Sequence, residues 1–249
     1  MNNPWQMNDR CIEAVRRVID TWSSSPLVIE RKRRNLASTK PPVGRDQLWI
    51  GIVASILTSQ QRSGPTSPVM RFLCKDPFPL SVSACECQPD LAAYARDVLT
   101  ESGGIRYAKK RIPGFLHKNL PWVTGSHWDE CCQELAHLNA NDGLQHERRV
   151  ADFFDDRFWG LGPKQARNLL QMLGQTRHVL PIDSRIAKWL ATLGFDVDTK
   201  RLGNRSYYET IEDSLQLLCQ ACNVSPCILD ACVFASFDDQ AWTTEKSRW

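Results

Sequence analysis

Residues 158–164 read Phe158-Trp159-Gly160-Leu161-Gly162-Pro163-Lys164, and no other run constrains the chain as much. An amphipathic segment carrying Val150, Phe153 and Phe154 precedes it, and Pro163 opens a second one. Proline suits a first helical position, because its fixed φ is already helical and its missing N–H would be unbonded there. Two glycines two positions apart between helices require a tight turn, which Gly160 and Gly162 permit through left-handed backbone and close approach of another group. The first N–H groups of the second helix then face outwards with the positive end of its dipole, a natural grip for a phosphate. A helix-hairpin-helix unit is expected at residues 150–174.

Helical periodicity extends through the rest of the chain. Cys11, Ala14, Val15, Val18, Ile19 and Trp22 recur at helical spacing behind Asn8, a capping residue. Asp46 is placed to cap an apolar helix through Leu48, Trp49, Ile52, Val53, Ile56 and Leu57. Shorter helical patterns fall near residues 89–100, 105–119, 127–138 and 145–156. Only Pro26-Leu27-Val28-Ile29 hints at a strand, so the expected class is mainly α.

Composition excludes more than it identifies. At 249 residues, 42% hydrophobic and 24% charged, the chain can bury a substantial core, and it has no apolar run of the roughly 18–20 residues that a membrane span needs. No basic-then-apolar leader opens it, so an intracellular setting is expected: cytoplasm and nucleoid, or a nucleus. In that setting the ten cysteines read as reduced thiols. A net charge of +3 does not advertise nucleic-acid binding, which must rest on local patches and on backbone donors. Arg106, Lys109, Lys110, Arg111 and Lys118 around Tyr107 form either a DNA-backbone face or a solvated one.

Two further segments carry chemistry. Leu180-Pro181-Ile182-Asp183-Ser184-Arg185 places a carboxylate where a helix begins, a position that stabilises its anion. Thr58-Ser59-Gln60-Gln61 forms a polar turn after an apolar helix. Taken singly, Lys164 reads as a phosphate contact, Asp183 as a cap and the glutamines as solvated loop residues. Together, Gly160, Gly162, Lys164 and Ala166, followed by Pro181, Asp183 and Arg185 with nineteen positions from lysine to aspartate, resemble the helix-hairpin-helix DNA glycosylase superfamily.

That resemblance implies a two-lobed helical fold: a central lobe at 46–175, and a second lobe of 1–45 with 176–249, with the active-site cleft between them. It implies Lys164 as an amine nucleophile and Asp183 as the carboxylate that stabilises positive charge on the sugar. Gln61, with Gln60 beside it, would enter the gap left by a flipped base, and Gly160, Gly162, Arg167 and Arg185 would contact DNA. A lysine titrating near about 10.4 in water must be desolvated or placed near cations to attack, and Arg167 or Arg185 could supply the latter. The partner is double-stranded DNA containing a modified base, engaged by a monomer, and the outcome is base excision with strand cleavage.

The lesion is less constrained. Members that carry the lysine act on oxidised pyrimidines or on 8-oxoguanine, and the pyrimidine branch holds an iron–sulfur cluster on cysteines spaced C-x6-C-x2-C-x5-C. Cys219, Cys222, Cys227 and Cys232 are spaced C-x2-C-x4-C-x4-C inside apolar helical patterns, so no cluster is expected and core packing is the first reading, with a metal site the alternative. No cofactor is required, and a monovalent cation at the hairpin is allowed. The segment at Leu229-Asp230 resembles the last helix of cluster-free 8-oxoguanine glycosylases, which makes Asp230, Phe234, Phe237 and Trp242 candidates to line a base pocket. Removal of a modified base from foreign DNA is an alternative purpose, and a non-catalytic DNA-binding protein is the alternative of another class.

Overall fold

The computed structural model describes residues 5, 7–238, 242–243 and 246. Among them run thirteen α-helices and no strand: α1 (Asp9–Trp22), α2 (Pro26–Asn35), α3 (Arg45–Leu57), α4 (Pro68–Leu73), α5 (Val82–Glu86), α6 (Leu91–Glu101), α7 (Arg111–Thr124), α8 (Trp128–Ala140), α9 (Leu144–Arg157), α10 (Pro163–Met172), α11 (Ser184–Thr192), α12 (Arg205–Ala221) and α13 (Pro226–Ser236). None of these helices by itself is long and apolar enough to cross a membrane.

Side-chain caps set many of the boundaries. Asn8 starts α1 by accepting the Cys11 N–H at 3.1 Å, and Ser67, Ser81, Asp90 and Asn204 do the same for α4, α5, α6 and α12. Three local expectations need correction. The stretch read as strand-like at Pro26–Ile29 opens α2 instead, because Pro26 occupies a first helical position and Leu27, Arg31 and Asn35 recur on the face turned inwards. Helix α3 is capped at Gly44, whose N–H donates to Gln47 Oε1 at 2.8 Å, and Asp46 lies inside the first turn. Residues 105–110 are irregular, with Tyr107 at φ +63°, and α7 begins only at Arg111.

Two apolar cores result. The first draws on residues 48–172, centred on Trp49, Ile52 and Val53 of α3 against Leu116 of α7, Phe154 of α9 and Leu169 of α10. The second joins Val15 of α1 and Val28 of α2 to Leu180, Ile182, Ile186 of α11, Leu215 of α12 and Leu229 of α13. The chain thus starts in one body, builds the other and returns. A small cluster of Leu27, Met70, Ala235 and Trp242 packs where α2 and α13 meet α4.

Buried charge ties the bodies together. Glu212 of α12, fully buried, accepts Arg148 Nε of α9 at 2.6 Å and Arg167 Nε of α10 at 2.9 Å. It also accepts the Leu180 N–H at 3.3 Å, on the segment that leads to Asp183. Below it the Tyr208 hydroxyl accepts the Ile182 N–H at 2.6 Å and donates to the Leu180 carbonyl at 2.9 Å, with the Arg167 guanidinium 4.6 Å from its ring centre. Glu147 of α9 receives the N–H groups of Arg177, His178 and Val179 at 2.7–2.8 Å. Removing one partner of such a set strands the others in a medium of low dielectric. Glu212→Ala is therefore expected to lower unfolding free energy by about 3–5 kcal/mol in urea titrations, more than the loss of an exposed pair such as Arg33–Glu30.

Candidate active site

The hairpin forms between α9 and α10. Gly160 sits at φ +83°, and a Cβ there would lie 2.5 Å from the Phe115 ring, so both backbone conformation and space require glycine. Gly162 is the N-cap of α10 in extended backbone, and a Cβ there would meet only Gln165 Oε1 at 3.6 Å. Internal packing does not demand the second glycine; its use lies in keeping the outer surface low enough for something to approach the α10 amides. Asn119 of α7, fully buried, grips the turn from behind: Oδ1 accepts the Trp159 N–H at 2.8 Å and Nδ2 donates to the Trp159 carbonyl at 2.9 Å. No feature of the sequence singled out Asn119, because its partner is backbone forty positions away.

Lys164 stands in the first turn of α10, half-buried, and its Nζ makes no hydrogen bond or ion pair with the described residues. Burial lowers its pKa, the carboxylates of Asp183 and Asp230 oppose that shift, and Arg185 adds to it. Asp183 caps α11: its Oδ1 accepts the N–H groups of Arg185 and Ile186 at 2.8 and 3.0 Å, and Oδ2 faces Arg185 Nη1 at 3.2 Å. Its carboxylate is thereby fixed in one orientation. The Arg185 guanidinium lies 3.9 Å from the centre of the Phe234 ring, which itself packs on Trp242 at 5.6 Å.

Lys164, Asp183, Asp230, Phe234, Trp242 and Arg31 line one cavity between the two cores. Its volume is about 40 Å³, space for a few waters at about 10–15 Å³ each and too little for a purine. A wider groove of about 460 Å³ beside Arg149 and Asp156 is lined by charges already paired, Arg149 with Glu134 and Asp156 with Arg205.

Arg31 of α2 escaped the sequence reading. It donates through Nη1 to Gln171 Oε1 and lies 3.4 Å from Asp230 Oδ2. The signal was there: Arg31 follows Leu27 by four positions and precedes Asn35 by four, and both of those are 2% exposed.

Two proposed contacts are corrected. Arg167 is fully buried against Glu212 and Tyr208, so it cannot reach DNA, and its charge is paired with Glu212. Phe237 caps the end of α13 at 42% exposure, outside the cavity that Phe234 lines one turn earlier. Arg185 is half-buried over Phe234 and bonded to Asp183. Gln60, at φ +55°, is exposed, with Oε1 accepting the Tyr107 hydroxyl at 2.9 Å. Gln61 is turned inwards, accepting the Arg106 N–H at 2.8 Å and donating to the Leu57 carbonyl.

Cys219, Cys227 and Cys232 are buried in the second core and Cys222 is half-buried. Burial pushes the thiols of Cys227 and Cys232 up to about 12, the opposite of what a ligating thiolate needs. Their sulfurs do not converge; among the described residues the group close enough to share an ion is Asp142, Glu147 and His178. Both Glu147 oxygens in that group already accept backbone N–H groups.

The architecture matches solved structures of known activity. An 8-oxoguanine DNA glycosylase of Thermotoga maritima aligns at 14% identity and a TM-score of 0.67, covering 94% of this chain and 99% of that one. The fold is that of 8-oxoguanine DNA glycosylases. The Methanocaldococcus jannaschii 8-oxoguanine DNA glycosylase aligns at 15% identity and a TM-score of 0.66, over 94% of this chain and 98% of its own. The glycosylase/lyase of that organism in complex with a 15mer DNA containing 8-oxoguanine gives 16% identity and a TM-score of 0.68, over 91% and 98%. No family model and no curated protein matches the chain.

Asp230 is 5% exposed, and burial pushes its carboxyl up to about 7 against the pull of Arg31. The folded protein therefore holds a proton that the unfolded chain releases near pH 3.8, and stability from this site is lost as pH rises from about 4 to about 7. Asp230→Asn is expected to flatten that decline, read as the difference between variant and parent in urea midpoints across pH 4.5–8.

Proposed function

We propose that this protein is a DNA glycosylase with abasic-site lyase activity that flips a damaged base out of duplex DNA and excises it, 8-oxoguanine being the substrate. The observation that carries this reading is the cavity where the unbonded amine of Lys164 meets the fixed carboxylate of Asp183 beside a hairpin built to hold phosphate.

In this reading the α10 amides and Gly162 hold the backbone of the strand at its phosphate, and Gln60, exposed in the α3–α4 loop, takes the wedge role expected of Gln61, which is turned inwards. The base then enters the cavity as its walls separate, at a cost of a few kcal/mol that is smallest for a damaged base. Neutral Lys164 attacks C1′ of the sugar and the N-glycosidic bond breaks, its electron pair leaving with the base, which takes up a proton. Asp183 stabilises the positive charge that develops on the sugar. The new C1′–N bond, after loss of a proton from nitrogen and ring opening, becomes a Schiff base. Abstraction of a C2′ proton then expels the 3′-phosphate and cuts the strand.

Supporting this chemistry, burial lowers the Lys164 pKa, and no acceptor among the described residues holds its proton. Support for the substrate comes from the similar structures, one of which holds DNA containing 8-oxoguanine.

Lys164→Gln is expected to abolish the adduct that borohydride traps on 8-oxoguanine DNA and to cut base release by at least about a thousandfold, with duplex binding retained. Asp183→Asn is expected to cost about 10²–10³ in single-turnover rate. Because the amine must be neutral, the parent rate should climb with pH through the lowered lysine pKa. Full base release by both variants would leave the non-catalytic, DNA-binding role for these residues.

A further inference from the structure

We infer that Arg31 and Asp230 read the lactam edge of the flipped base, a carbonyl beside a ring N–H, so that guanine-type bases are accepted and amino-edged bases of the adenine type are refused. This inference rests on the glycosylase reading above.

The two side chains are 11% and 7% exposed and lie on the cavity that Lys164 and Asp183 share. Their mutual contact is loose: 3.4 Å between Arg31 Nη1 and Asp230 Oδ2, against about 2.7–2.9 Å for a good charge-assisted bond. Arg31 Nη1 is anchored on Gln171, while its Nε and Nη2 and the Oδ1 of Asp230 have no hydrogen-bond partner among the described residues. Buried charges are tolerated when the remaining donors and acceptors are met, and here several are left for whatever enters the cavity.

A flipped base is recognised through its Watson–Crick edge. Guanine and its C8-oxidised form present O6, which accepts, next to N1–H and the 2-amino group, which donate. Arg31 supplies donors for the carbonyl and Asp230 an acceptor for the N–H groups. Adenine places an amino donor where guanine has O6 and a bare ring nitrogen where guanine has N1–H. Donor would face donor at Arg31 and acceptor would face acceptor at Asp230, leaving buried groups unbonded, the arrangement that discriminates most strongly between isosteres. The carboxyl, pushed up to about 7 by burial, also gains as an anion when N–H donors arrive.

The test compares single-turnover release of 8-oxoguanine and 8-oxoadenine, each opposite cytosine in the same duplex, with cleavage of an abasic site, which has no base to read. The unmodified protein is expected to release 8-oxoguanine at least a hundredfold faster than 8-oxoadenine. Arg31→Met should lower the ratio of 8-oxoguanine release to abasic cleavage at least tenfold. Arg31→Lys, which keeps the charge beside Asp230, should fall between and serves if the methionine variant does not fold. Equal release of the two purines overturns the inference, as does an equal loss of release and abasic cleavage in the Arg31 variants, which would make Arg31 structural. A protein that cleaves abasic sites but releases no lactam base removes this inference and leaves the lyase; one that does neither removes both.

Discussion

Glu212 sits where the two helical bodies meet, and the site is assembled around its carboxylate. Arg148 and Arg167 reach it from the two helices that flank the hairpin, and the Leu180 amide reaches it from the segment that ends in Asp183. Lys164 belongs to one body and Asp183 to the beginning of a helix in the other, so their separation depends on how these bodies dock. An unpaired charge at this depth costs several kcal/mol, and a slipped interface would strand two guanidinium groups and a carboxylate together. Tyr208 extends the same control by holding the backbone on both sides of Pro181, two residues before Asp183.

The electrostatics of the cavity follow from that docking. Lys164, Asp183, Asp230 and Arg31 share a space of about 40 Å³ with the aromatic rings of Phe234 and Trp242 in its walls. The Asp183 carboxylate is bonded by helix amides and Arg185, whereas Asp230, in loose contact with Arg31, is pushed towards neutrality by burial. The two carboxyl groups thus sit in different environments, one tied to the start of a helix and one buried beside Arg31. Burial lowers the pKa of Lys164, whose amine is bonded to neither carboxylate. The cavity is narrow, and Met70, Phe234 and Trp242 reach its walls from separate elements.

Much of this was legible in the chain. Periodicity and capping residues gave most of the helices, because a turn of helix is stabilised by neighbours within four positions. The glycine-glycine-proline-lysine run marked the hairpin, and the Pro181–Asp183 segment marked the second half of the site, because each motif is local. Arg167, in contrast, reads as a surface cation three positions after the lysine, and its burial is decided by Glu212, forty-five residues later. Phe237 and Phe234 are indistinguishable by composition, and which of them faces the cavity depends on where α13 ends. The strand-like Leu27-Val28-Ile29 became helix once Pro26 and the basic face of α2 found solvent on one side and the cavity on the other.

By itself, then, the sequence determined the local units: helices, a hairpin turned by glycines, a capping aspartate and a lysine in the first turn of α10. Local hydrogen bonding and backbone geometry specify such units within a few residues. Tertiary structure alone decided which charges are buried, that Arg31 joins Asp230 at the cavity, that Asn119 fixes the hairpin from behind, and that Lys164 has no hydrogen-bond or ion-pair partner among the described residues. Those outcomes depend on contacts across tens to about two hundred positions, where desolvation and pairing are settled by which surfaces meet and no spacing along the chain records them.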